Sequence, residues 1–147
     1  MKIHALAVQT GFEVDADMHL QARARARALG AFVREIPFAA ALLDRDLTLV
    51  AVSPEWRGQS IAPGLDVEGD AVAGGLVAAE DIEALRACAQ EGLAFSRYLP
   101  TLDERGAQRI WRTEFSACRD DDQTYAVMVT ARDVTGSVSY THLTLPT

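Results

Sequence analysis

Few side chains in this sequence have both the type and the spacing to do chemistry. The three histidines are His4, His19 and His142. They lie near the two ends, so a Ser-His-Asp or Cys-His set has no imidazole to build on in mid-chain. A metal needs converging His, Cys or carboxylate groups. The one cluster is Asp120-Asp121-Asp122, which reads as a solvated turn, so no metal site is expected. Gly74-Gly75 lacks the Lys-Ser/Thr ending of a phosphate loop. Cys88 and Cys118 are far apart and read as free thiols. Cys88 suits a buried structural thiol, with redox sensing as the other reading. Trp56 and Trp111 are candidate walls of an apolar ligand cavity, or else plain core. Arg112 and Glu114 lie two apart on one strand face, as an ion pair or as polar ligand contacts. Glu114 is also the sole candidate acid for a small enzyme with a cone-shaped cavity, and it has no evident partner.

Bulk properties narrow the setting. The 147 residues suit one domain, long enough to bury roughly two-thirds of its unfolded surface. A net charge of -7 repels phosphate backbones and argues against nucleic acid as a partner. No apolar run reaches the roughly eighteen residues of a membrane helix. The start, Met1-Lys2-Ile3-His4, has no long apolar region or cleavage site. A cytoplasmic setting is the expectation.

The elements that would position these residues follow from pattern. Lys2 to Phe12 is weakly apolar without a clear period, either a short strand or a loose arm. Asp15 or Asp17 could cap a helix starting at Met18, and Leu20 to Glu35 is rich in good helix formers. Met18, Ala22, Leu29, Phe32 and Ile36 fall near one stripe of coiled-coil spacing, with Arg25 intruding. Pro37 blocks further helix. Ala40 to Leu43, the turn Asp44-Arg45-Asp46 and Leu47 to Val52 predict two strands. Ser53-Pro54-Glu55-Trp56 reads as a capped helix start. Gln59 to Gly75, broken by glycine and proline, predicts short helices and loops. Ala79 to Glu91 predicts a helix with Ile82, Leu85, Cys88 and Ala89 on its apolar face, acidic residues at its positive end and Gly92 as its stop. Ala94 to Asp103 is a third strand, ending in the turn Asp103-Glu104-Arg105-Gly106. Gln108 to Arg119 and Thr124 to Thr130 are two more. Trp111, Thr113, Phe115 and Ala117 share one face, with Arg109 at the edge. Ile110, Arg112, Glu114 and Ser116 take the other. In the last strand Tyr125, Val127 and Val129 alternate with Ala126, Met128 and Thr130. The order predicts an α+β fold, a five-stranded antiparallel sheet with helices on one face, preceded by an N-terminal helix.

That order resembles a PAS domain over about Ile36 to Thr135. Pro37 to Leu47 is similar to the opening of many bacterial members, a proline before a strand that ends in an aspartate turn. Ala51-Val52-Ser53-Pro54-Glu55-Trp56 is similar to the next element, and Arg112-x-Glu114 to a strand pattern of one subgroup. Asp133-Val134-Thr135 resembles the junction at which such domains pass a signal onward. The chain departs from the subgroup in having fewer tryptophans in the Gln108 to Arg119 strand. It also lacks a glycine in the turn at Asp120 to Gln123, and it matches poorly over Gly58 to Gly75, where much of the ligand cavity is built.

The resemblance implies a sensory and dimerising input domain with no catalytic residues. Its ligand-binding candidates are Trp56, Trp111, Arg112 and Glu114, and its signal-output junction is Asp133 and Thr135. Haem is not expected, because the helix Ala79 to Glu91 carries no histidine. Covalent flavin is not expected, because no Asn-Cys-Arg type motif occurs. The cofactor is otherwise unknown. Expected partners are a second copy bound through the N-terminal helix, a small-molecule ligand and a downstream effector, a histidine kinase first and a diguanylate cyclase second. A ligand-free interaction module is the alternative. The chain is expected to divide into an arm (1–14), a helix (15–36), the PAS domain (37–136) and a tail (137–147). The tail looks like a translated sequencing adapter and is set aside from fold reasoning.

Overall fold

Period-two alternation over the last two strands sets the architecture, because each strand must send alternate side chains to opposite faces. The computed structural model describes residues 2–58 and 81–137, with side chains described from residue 17 onward. The elements are α1 (Lys2–Val33), β1 (Ala40–Asp44), β2 (Leu49–Val52), α2 (Pro54–Gly58), α3 (Ile82–Glu91), β3 (Phe95–Leu102), β4 (Gln108–Asp120) and β5 (Gln123–Asp133). The strands form one antiparallel sheet in the order β2-β1-β5-β4-β3. This is the α+β fold expected from the element order. The segment 59–80, which includes most of the expected loop-and-helix stretch, and the tail beyond Ser137 lie outside the described residues.

The sheet separates two cores. Ala41, Leu43, Leu49, Val52, Trp111, Phe115, Val127 and Val129 pack with Trp56 of α2 and with Leu85, Cys88 and Ala89 of α3. On the other face Ala40, Leu42, Ala51 and Ala126 pack with Ala26 and Val33 of α1. Thus α2 and α3 cover one face, and α1 lies across β1, β2 and β5 on the opposite one. Two residues of the expected dimer stripe, Leu29 and Ile36, pack against this second core. Ala22 is buried as well, whereas Phe32 is 73% exposed. Gly30 permits the close approach of α1 to β2: a Cβ there would meet Val50 Cγ1 at 3.0 Å and Ala51 Cβ at 3.4 Å.

The helix runs from Lys2 without a break at Asp15 or Asp17, where the sequence suggested a cap, and it ends at Val33, ahead of Pro37. Helix propagation adds one hydrogen bond per residue fixed, so a long run of adequate helix formers needs no second nucleus. Tyr125 also departs from simple alternation. The β4–β5 register slips between Cys118 and Arg119, and Tyr125 packs with the α1-side core rather than with Val127 and Val129. The β4–β5 turn has no glycine, yet Asp121 (φ 48°) and Asp122 (φ 64°) both take left-handed backbone, as a tight hairpin turn requires.

Candidate functional site

Ser53 builds the first part of the site. Its hydroxyl oxygen accepts from the Trp56 N–H at 3.2 Å, the helix cap expected from Ser53-Pro54-Glu55-Trp56. The same oxygen accepts from the Ala40 N–H at 2.9 Å and donates to the Phe38 carbonyl at 2.7 Å. One buried side chain therefore ties α2 to the start of β1 and fixes the direction of Trp56. The Trp56 indole is 1% exposed, and its Nε1–H has no hydrogen-bond partner among the described residues. A buried donor left unpaired is costly, so among the described residues this is a polar atom of the α2/α3 face with capacity to spare.

Trp111 lies on the same face, 5% exposed, but its Nε1–H is satisfied by Thr101 Oγ1 at 3.1 Å. Phe115 stacks on Phe95 with ring centroids 4.3 Å apart. Cys88 projects from the middle of α3 into this core and is fully buried. Burial pushes its thiol pKa up, and Cys118 adds to the rise. The C-terminus of α3 is closed by Gly92 at φ 77°, the expected stop.

The structure does not bring the four ligand candidates together. Trp56 and Trp111 share the α2/α3 face. Arg112 and Glu114 stand on the opposite face, where Arg112 Nε lies 3.2 Å from Glu114 Oε1 with both side chains substantially exposed. The approach is an ion pair without an aligned hydrogen bond, since Arg112 Nε has none. A groove lined by Phe38, Arg112, Glu114, Thr130 and Arg132 runs along that face. Glu114 is thus an exposed carboxylate and not an acid in an apolar cavity. Among the described residues no group of three or more His, Cys, Asp or Glu side chains could hold a metal ion. No described helix is long and apolar enough to cross a membrane.

Asp133 and Thr135, the residues expected at an output junction, form a closed hydrogen-bond network. Asp133 Oδ1 accepts from the Thr135 N–H at 2.9 Å and from its hydroxyl at 2.5 Å. Thr135 Oγ1 in turn accepts from the Ile110 N–H at 2.9 Å. Arg109 joins two segments, with Nη1 3.3 Å from Asp133 Oδ2 and Nε 3.5 Å from Asp103 Oδ2 in the β3–β4 turn. Burial alone would raise the Asp133 pKa, but the Thr135 hydrogen bonds and Arg109 outweigh it and hold the carboxyl below its usual range. Asp103 is also lowered, chiefly by the Ala107 N–H and further by Arg105 N–H and Arg109. Sequence reasoning placed Arg109 at a strand edge and missed this bridge. Its two partners are 6 and 24 residues away, a pairing that becomes visible only when β4 lies between β3 and β5.

A family model described as PAS fold matches residues 33–139. Among solved structures, the Rhodobacter sphaeroides LOV protein is 14% identical with a TM-score of 0.53, covering 76% of this chain and 67% of that one. An RsLOV d2 variant is 15% identical with a TM-score of 0.53, covering 73% and 65%. An RNA-binding light-oxygen-voltage receptor is 17% identical with a TM-score of 0.52, covering 74% and 32%. The chain therefore spans less than two-thirds of the length of the last two. No curated protein sequence matches it.

These neighbours correct one part of the cofactor expectation, the setting aside of covalent flavin. Several of the solved structures that share the fold are light-oxygen-voltage proteins, so the expectation against covalent flavin does not stand. The motif argument failed for a physical reason. A fold can be kept at 14–17% identity, so a short pattern around one cysteine does not decide the cofactor. The α2/α3 face carries a cysteine, Cys88, together with the Trp56 indole donor and a stacked phenylalanine pair.

Proposed function

The chain belongs to the PAS fold family, and from that premise we propose that it is the sensory and dimerising input module of a signal-transduction protein. The single observation that carries the reading is the pairing of two built features. One is a core face with an unsatisfied buried donor at Trp56 Nε1. The other is a hydrogen-bonded bracket at the end of β5 that links Asp133 and Thr135 to Arg109 and Asp103. β4 and β5 connect them, since Trp111 pairs in register with Asp133.

In this reading a planar ligand with a hydrogen-bond acceptor takes the Trp56 N–H, and Trp111, Phe115 and Cys88 supply apolar walls. Flavins are one such class. A ligand acts only if it binds one packing of the domain better than another. The changed packing reaches the Arg109–Asp133–Thr135 bracket along β4 and β5, and from there the effector that follows, with a histidine kinase ahead of a diguanylate cyclase. Arg112 and Glu114, on the opposite face, serve partner contacts rather than the ligand. The module works as a homodimer through α1.

Native mass spectrometry with absorbance spectroscopy, on protein purified from its own host, tests the proposal. A retained small molecule, reduced in occupancy by Trp56→Phe, supports it. A visible flavin-type spectrum identifies that class. Protein that retains no molecule, binds no added flavin mononucleotide and is insensitive to Trp56→Phe supports the alternative, a ligand-free interaction module.

A further inference from the structure

We propose that the groove between α1 and the free edge of β2 docks an extended, acidic segment of a partner protein, which adds to the sheet as a further strand. The sheet order β2-β1-β5-β4-β3 leaves β2 at one end. It pairs with β1 on one side, and the described residues place no strand on the other. Such an edge carries backbone N–H and C=O groups ready to pair with another chain. The Val50 carbonyl is one of them. It accepts from Arg34 Nη2 at 3.2 Å, a side chain that reaches it from outside the sheet.

Basic side chains form the facing wall. Arg23, Arg27 and Arg34 line a groove that has Thr48, Leu49 and Val50 on its other side. At about 100° per residue the three arginines fall within about 40° of one another. Arg34 lies one residue past α1, yet its N–H still donates to the Gly30 carbonyl at 3.1 Å, so the helical turn continues to it. Arg23 and Arg27 are exposed like charges at i, i+4, a pairing that destabilises an isolated helix. Neither has an ion-pair partner among the described residues. Asp44 is the acid among the described lining residues, and its own turn engages it: Oδ1 accepts from the Asp46 N–H at 2.9 Å and the Thr48 N–H at 3.0 Å. Arg25, on the other flank of α1, pairs with Asp120.

Charge and edge together select the occupant. A column of arginines attracts carboxylates or phosphates. The net charge of -7 repels a nucleic-acid backbone from the rest of the chain, and an open strand edge pairs with peptide groups. An extended acidic peptide satisfies both walls. Its alternate side chains point to one face, so acids two residues apart stand about 6.6 Å apart. Arg23 and Arg27 are four residues apart on a helix that rises 1.5 Å per residue, about 6 Å. The helix also runs in the same sense as β2, with His19 beside Asp46 and Arg34 at Val50. Successive carboxylates therefore meet successive arginines while the peptide backbone pairs with β2. This groove is separate from the α2/α3 core of the ligand reading and from the groove at Arg112 and Glu114.

Fluorescence anisotropy on the full chain tests the inference, with a labelled peptide of alternating glutamate and valine, about eight residues long. Saturable binding that weakens as salt rises is expected. Arg23→Glu with Arg27→Glu should weaken it by about tenfold or more. A peptide with lysine in place of glutamate should then prefer the reversed variant, which also shows that the variant folds. Backbone pairing has its own readout. In an added strand alternate N–H groups point at β2 and the others at solvent. N-methylation of one alternate set should therefore abolish binding, and N-methylation of the other set should leave it. Equal effects of the two sets overturn strand addition. A single-stranded oligonucleotide of equal charge that binds as tightly reveals a general anion groove and overturns the inference. Peptide binding that ignores the arginine reversal, or no binding up to about 1 mM, overturns it as well. None of these outcomes bears on small-molecule retention, which tests the sensory reading.

Discussion

Replacing Ser53 with alanine tests whether one hydroxyl organises the Trp56 site. Ser53 is fully buried, and its Oγ meets three backbone groups, the Ala40 N–H at 2.9 Å, the Trp56 N–H at 3.2 Å and the Phe38 carbonyl at 2.7 Å. Alanine removes all three and supplies no replacement. Loss of an N-cap costs about 1 kcal/mol. Leaving the Ala40 N–H unsatisfied beside the core adds roughly 1–3 kcal/mol. The expected destabilisation is therefore about 2–4 kcal/mol, which corresponds to a fall in Tm on the order of 10 °C. Urea denaturation, with Ser116→Ala on the exposed sheet face as control, measures it at constant m-value. Tryptophan emission should shift as well, since Trp56 loses the cap that aims it. A loss below about 0.5 kcal/mol, the range of an ordinary surface substitution, together with unchanged emission, would refute the reasoning.

Other expectations follow from the same geometry. Gly92→Ala places a Cβ 2.2 Å from Arg119 Nη1 at a residue with φ 77°, and it should cost about 1 kcal/mol or more in a denaturant melt. The folded-state pKa values of Asp103 and Asp133 are depressed, so their stabilisation is present above the ordinary carboxylate pKa and is lost as pH falls through the folded values. Asp133→Asn should therefore flatten the acid limb of a stability-against-pH curve, and an unchanged limb argues against the Arg109 bracket. The Cys88 thiol, buried and with a raised pKa, should resist alkylation until the protein unfolds, as read by mass spectrometry after a timed iodoacetamide pulse. Gly30→Val drives side-chain atoms into Val50 and Ala51, and it should loosen α1 from β2 with a loss of about 1–3 kcal/mol, visible as faster amide exchange along α1.

The sequence by itself determined the features that local physics controls. Alternation in β4 assigned Trp111, Thr113, Phe115 and Ala117 to one face and Arg112 and Glu114 to the other, because side chains on a strand can only alternate. Ser53-Pro54 announced α2, and Gly92 announced the end of α3, because caps answer to groups within a few residues. Pro37 kept α1 from running into β1 for the same reason.

Only the tertiary structure decided what depends on distant segments. It turned the α1 stripe onto the chain's own sheet, since apolar side chains go to the nearest apolar surface and the sequence does not say whose surface that is. It moved Tyr125 to the α1 side through a register slip that no pattern signals. It also gave Ser53 its second and third partners, joined Arg109 to Asp103 and Asp133, and left Trp56 Nε1 unpaired while Trp111 Nε1 found Thr101. Whether a buried polar atom is satisfied depends on what folds against it. The residues of the site could be named from their types, but their roles were settled by the strands and helices that meet around them.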